Sequence, residues 1–231
     1  MATSRIRPLT VAPVLRDQVQ ETLEALIIDG TLRPGQRLLE AELAEQLHVS
    51  RNPVREALSL LARDGWIDLR PRHGAQVHEP SRKEVEDFFR VRTVLEGESA
   101  RCAAEKATPG DLDGLRELVD RGVAAVAADD EQATVQANSA FHARMTEVAD
   151  NRVLDEMLGL LKKRLLWYFA PVARIRGQAS WDEHAALLDA IAGHDGDRAA
   201  AVMRDHCEAT AALYRAMPLR GTERGDAAEA G

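Results

Sequence analysis

Only two cysteines occur in the chain, Cys102 and Cys207, too few for a disulfide framework, so a reduced, cytoplasmic setting is the default expectation. Apolar runs are short. None approaches ~18 residues, so no membrane span is expected, and the opening M-A-T-S-R-I-R-P-L-T lacks the apolar core of a secretory signal. Aromatic residues are scarce, with four Phe, three Trp and two Tyr, while alanine is abundant, which favours helices. An excess of positive charge is also missing: the formal net charge is −8 over 231 residues. Its distribution is uneven. Residues 1–80 hold ten Arg against eleven acids, and the remainder twenty Lys or Arg against twenty-seven. A nucleic-acid partner of the first part would therefore need locally clustered arginines rather than a basic domain.

Such a cluster lies between Val49 and Ile67, in V-S-R-N-P-V-R-E-A-L-S-L-L-A-R-D-G-W-I. Ser50 is placed to cap a helix, and Pro53 is tolerated close to a helix start. Val54, Ala57, Leu58, Leu61 and Ala62 recur at helical spacing and make one apolar face. Arg51 and Arg55, four residues apart, project together from another. By itself this reads first as an amphipathic surface helix with solvated arginines. Its surroundings favour a recognition helix. Leu15, Val19, Leu23, Leu26 and Ile27 mark a first helix closed by Asp29-Gly30, and Pro34-Gly35 turns the chain into a short extended piece. A-E-L-A-E-Q-L at 41–47 is a short helix joined to the arginine helix by H-V-S, the helix-turn-helix layout. W-I-D-L-R and A-Q-V-H then read as strands of a hairpin whose tip carries Arg70, Arg72 and His73, a wing able to reach phosphates or the minor groove.

The phrases L-R-P-G-Q-R-L, L-A-E-Q-L-H-V-S-R-N-P-V-R-E-A-L and L-A-R-D-G-W-I resemble the DNA-binding domain of the GntR family of bacterial transcription regulators. The resemblance spans residues 12–78. It implies DNA contacts by Ser50, Arg51, Asn52, Pro53 and Arg55 and a wing tip at His73 and Gly74; Arg72, from the basic hairpin tip, is expected to reach DNA beside them. Some members carry an arginine where this chain has Ala41, so no contact is expected there.

E-P-S at 79–81 is a linker, with Pro80 ending the last strand and Ser81 able to cap the helix after it. From Arg82 onward only helical patterns occur. Val85, Phe88, Phe89, Arg92, Leu95 and Ser99 share a face of a helix ending near Lys106, and Leu112 to Val126 mark another. Further helices are expected at about 132–149, 151–169, 179–192 and 197–216, an all-helical bundle. His142, His184 and His206 each fall on a different inward stripe. A lone histidine on an apolar face is usually a satisfied core residue. Three on separate inward stripes raise a metal reading, because imidazole is a common ligand for Zn or Ni; spacing alone cannot show that they converge.

Residues 82–217 resemble the FCD ligand-binding domain of the FadR subfamily, through V-R-T-V-L-E at 91–96, A-F-H-A-R-M-T-E-V-A-D-N at 140–151, D-E-H-A-A-L-L-D-A-I at 182–191 and A-V-M-R-D-H at 201–206. The resemblance implies a divalent metal, Zn or Ni, on His142, His184 and His206, with an Asp position that here holds Asn138. No carboxylate stands at 138, 139, 145 or 146 to replace it. Neutral ligands leave the ion's charge uncompensated, which favours an anionic effector, a small carboxylate or hydroxy acid. Arg92 could hold that carboxylate; equally, it could form an internal ion pair with Glu96 or Glu98.

The expected architecture is mainly α. A winged helix-turn-helix occupies 10–78, a linker 79–81, an all-helical effector and metal domain 82–217, and a disordered tail 218–231. The expected function is a homodimeric, ligand-responsive regulator, a repressor released from a palindromic double-stranded operator by a small organic acid. The competing reading is a metal-dependent hydrolase with an appended nucleic-acid module. Against it, no H-E-x-x-H occurs, and Glu183 and Asp205 should face away from the histidines beside them.

Overall fold

A computed structural model describes residues 15–70 and 74–216. The wing-tip residues Arg72 and His73, residues 10–14 of the first domain and the 218–231 tail lie outside the described residues. The chain divides between Glu79 and Pro80 into two compact units.

In the first unit, α1 (Leu15–Ile28) is followed by β1 (Arg37–Leu38), α2 (Glu40–Gln46), α3 (Arg51–Arg63), β2 (Ile67–Arg70) and β3 (Gly74–Val77). The apolar stripes dictate the packing. Val19, Leu23 and Ile27 of α1 and Val54, Ala57, Leu58 and Leu61 of α3 are buried, and the two helices pack on each other. Side chains of this size stabilise the fold by ~1.5–3 kcal/mol each when fully buried. His48 bends the link between α2 and α3 by taking a left-handed conformation, φ 54°. The short extended piece after Pro34-Gly35 becomes an edge strand: the sheet order is β1-β3-β2, antiparallel throughout, with Arg37 opposite Gln76 and Arg70 opposite Gly74.

The second unit is helical: α4 (Arg82–Lys106), α5 (Pro109–Ala127), α6 (Glu131–Val148), α7 (Arg152–Ala192) and α8 (Gly196–Ala216). Ser81 and Glu84 form a capping box at the start of α4, each bonding the other's backbone N–H, and Thr108 and Asp111 do the same for α5. The core packs Leu115, Phe141, Met145, Trp181, Ile191 and Met203 without exposure. Gly122 lets α5 approach the Trp181 ring. A Cβ there would lie 2.0 Å from Trp181 Cζ2.

The two helices expected at 151–169 and 179–192 do occur within α7, but the first continues through Pro171 and the break between them falls at Gly177. Gly177 has φ 41° and ψ −133°, a conformation open in practice only to glycine. Two expectations are corrected. The buried stripe of α4 passes through Glu96 rather than the expected Leu95, which is only half-buried. The inward face of α8 is Met203, His206, Cys207 and Thr210, with Val202, Ala209 and Leu213 at its margin. No helix among the described residues is long and apolar enough to cross a membrane.

Candidate functional site

The arginine helix presents its polar residues outward. Ser50, Arg51, Asn52 and Arg55 are exposed and Pro53 is half-buried, while Gly74 is exposed at the start of β3. Ser50 stands at the N-cap position of α3, yet its side chain makes no capping hydrogen bond. Asn52 Nδ2 donates to Glu56 Oε1 at 2.9 Å. Arg55 is held from the preceding helix. Its Nε donates to Glu40 Oε1 at 3.0 Å and its Nη2 to Glu40 Oε2 at 2.8 Å. That bond to Arg55 keeps the Glu40 carboxyl below its usual range, against a small opposing effect of burial. Ala41 is exposed and carries nothing toward this surface.

In the helical unit, His142 from α6, His184 from α7 and His206 from α8 converge. One ring nitrogen of each lies within 4.8 Å of those of the others, and all three residues are buried. His184 is boxed in by Phe141, stacked at 4.3 Å between ring centroids, and by Trp181, edge-on at 4.8 Å. Burial, and after it the charges of neighbouring histidines and of Arg92 and Arg176, holds His184 well below the usual histidine pKa. His206 is depressed in the same way, by burial, His142, Arg92 and Arg176. Neutral imidazoles are the form that coordinates a metal.

Two carboxylates that the sequence pattern does not reveal orient two of these rings. His142 donates from Nδ1 to Glu96 Oε2 at 3.0 Å, and His206 donates from Nδ1 to Glu183 Oε2 at 2.8 Å. Each bond leaves Nε2 as the ring's acceptor nitrogen, that of His142 being met by Arg92, and a carboxylate in this place is the usual outer partner of a metal-binding histidine. Glu183, next to His184 in sequence, reaches His206 across the helix pair; Asp205 is exposed. Burial pushes the Glu96 carboxyl up, but His142 and Arg92 outweigh it and hold it below the usual range.

Arg92 is buried and pairs with Glu96, not Glu98: its Nε lies 3.3 Å from Glu96 Oε1, and its Nη2 donates to His142 Nε2 at 3.3 Å. The ion pair and a carboxylate-holding role are compatible in Arg92, since its Nη1 is buried without a partner. A second arginine, Arg176, just before the Gly177 kink, pairs with Glu183 beside His206. Its Nε is likewise unpartnered, as are Asn138 Oδ1, Ser180 Oγ and both ring nitrogens of His184. Unmet buried groups cost ~1–3 kcal/mol each. Three imidazoles, one with no other partner, and an orphaned amide oxygen one helical turn before His142 are a donor set that fits a divalent ion.

Comparison with known proteins fits both units. Residues 15–77 match the family described as bacterial regulatory proteins, gntR family, and residues 87–209 match the FCD domain. The chain is 28% identical to the HTH-type transcriptional regulator LutR of Bacillus subtilis (strain 168), over 78% of this chain and 92% of that protein. It is 27% identical to the HTH-type transcriptional repressor NanR of Escherichia coli (strain K12 / DH10B), over 92% and 88%. Among solved structures, E. coli McbR/YncC superposes with a TM-score of 0.69 at 25% identity, covering 89% of this chain and 99% of that one.

Proposed function

Since the chain belongs to the GntR family of bacterial transcription regulators, with an FCD domain as its second unit, we propose that it is a metal-dependent, acid-responsive repressor acting as a homodimer. It is a regulator, not an enzyme: the families and relatives it matches are transcription regulators, and the hydrolase reading has no support among them. Ser50, Arg51, Asn52, Pro53 and Arg55 would meet DNA from the start of α3, where side chains enter the major groove. Arg72, His73 and Gly74 would do so from the wing. A palindromic operator calls for a two-fold pair. Val91 and Val94 of α4 and Leu160 of α7, 53%, 68% and 82% exposed, offer apolar surface for a second copy.

The observation that carries the effector reading is the buried convergence of His142, His184 and His206 around a ring with no partner of its own. These three, with Asn138, would hold a divalent ion, Zn or Ni, which when bound supplies positive charge to an anion. The charge balance supports this. Arg92 and Arg176 are offset by Glu96 and Glu183, so neutral histidines leave a divalent ion uncompensated, and a carboxylate or hydroxy acid meets that excess. Arg92 Nη1 is free to hold the acid's carboxylate. An acid that binds the two states of the protein unequally would shift operator affinity. NanR bears the description of repressor, which supports release by effector as the mode.

The test is His184→Ala. Elemental analysis should show the metal lost, and gel shifts should show operator binding by the metal-free protein retained but insensitive to organic acids. A variant that keeps its metal or its response would refute the assignment.

A further inference from the structure

Beside His142 and Arg92 the bundle opens into a cavity of about 220 Å³ between α4, α6 and α7. One end is the site already described: Arg92, Glu96 and His142 form part of its wall. The rest is different in kind. Ala143 of α6 and Leu158, Leu161 and Leu165 of α7 supply hydrocarbon, with hydroxyls at Ser139 and Thr146 and charge only at Asp155 and Lys162. The cavity therefore has a basic, ligand-bearing end and an apolar body. A six-membered hydrocarbon ring fits a dry pocket of ~150 Å³, so this space takes such a ring together with a carboxylate. It is smaller than the ~300–1,000 Å³ of sites for drug-sized molecules.

Gly159 belongs to the same wall. It lies well inside α7 in ordinary helical conformation, where glycine weakens a helix relative to alanine. A Cβ at this position would meet nothing within 4 Å. Neither the backbone nor packing inside the chain asks for glycine at this exposed position; its missing side chain leaves the open side of the cavity clear.

We infer that the effector is a carboxylate with a compact apolar body, an aromatic or branched aliphatic acid, whose carboxylate meets Arg92 and whose body fills the space over Gly159. This rests on the metal and carboxylate reading above and narrows it, ranking polyhydroxylated acids lower, since the wall offers their hydroxyls only Ser139 and Thr146 beyond the charged groups.

Zinc-loaded full-length protein titrated calorimetrically with benzoate, acetate and gluconate tests it. Benzoate should bind at least about tenfold tighter than either of the others, with a more negative heat-capacity change as apolar surface is buried. Gly159→Leu should weaken benzoate by about tenfold or more, leave acetate within about twofold, and leave zinc content and oligomeric state unchanged; Gly159→Ala should fall between. Benzoate binding no tighter than gluconate overturns the inference while leaving the metal and carboxylate reading intact. So does a Gly159→Leu protein that binds benzoate normally, including one whose only change is in oligomeric state. Binding of none of the three acids overturns both.

Discussion

Glu40 and Arg55, on successive helices of the turn motif, are joined by a two-point ion pair, at 3.0 Å through Arg55 Nε and 2.8 Å through Nη2. Arg55 is exposed and Glu40 half-buried, so the pair contributes little to folding. Its effect is on direction: it fixes the guanidinium of an otherwise mobile side chain on the exposed surface of α3.

Arg51→Ala and Arg55→Ala should each weaken operator binding roughly ten- to hundredfold if the contact is bidentate to guanine. Glu40→Ala should leave thermal stability almost unchanged and reduce discrimination between cognate and scrambled operators. Quantitative gel shifts on both DNAs check this. Unchanged discrimination in the Glu40 variant would mean that Arg55 needs no positioning.

Glu96→Gln and Glu183→Gln keep the shape of each side chain but remove the charged acceptor from His142 and His206. Such outer partners typically contribute ~10–100-fold to metal affinity, so each variant should lose zinc to a competing chelator at correspondingly lower chelator concentration. Retention equal to the parent protein would reduce both carboxylates to packing elements.

Metal-free protein should lose stability on acidification. In the unfolded chain His184 and His206 take up protons near the ordinary 6.5, whereas in the fold both stay neutral well below it. Below 6.5 the unfolded state therefore binds more protons, so stability is full above that pH and falls as the pH drops, by up to about 1.4 kcal/mol per pH unit for each histidine. Urea unfolding of chelator-treated protein at neutral and mildly acidic pH should show the decline, and His184→Phe should make it shallower. A midpoint that does not move with pH would contradict the neutral assignment.

Gly122→Ala should destabilise the bundle. A methyl group cannot coexist with the Trp181 ring 2.0 Å away, and overpacking of this kind costs ~1–3 kcal/mol or more. Trp181 lies against His184, so Trp fluorescence and zinc affinity should change with it. Denaturant melts of the variant decide the matter.

Period and punctuation made much of this fold readable. Stripes at 3.6-residue spacing located the helices, Ser81 announced the start of α4, and the link from Leu47 to Ser50 exposed the turn motif. The three histidines could be assigned to inward faces because each shares its stripe with apolar neighbours. What a helix's own period cannot show is which side chain a different helix brings alongside. Glu96 reads as a polar residue on α4, and Glu183 as one turned from His184. Only packing reveals that they meet His142 and His206. Arg176 escapes the sequence pattern for another reason: its position beside Glu183 depends on a kink at Gly177, where periodicity suggests two separate helices.

The first turns of α4 run from the linker to the histidine cluster without a break in the helix. From Ser81, whose capping box fixes its first turn, to Arg92 it runs eleven residues, about 16 Å at 1.5 Å per residue, with no glycine or proline between them. Ser81 is four residues beyond Val77, the last residue of the wing strand β3. Arg92 is thus joined to the capped start of its own helix by unbroken backbone hydrogen bonding, and that start is only a few residues of chain from the strand. Within the helix, a shift of the Arg92 backbone would carry Ser81 with it, there being no flexible residue between them to absorb it.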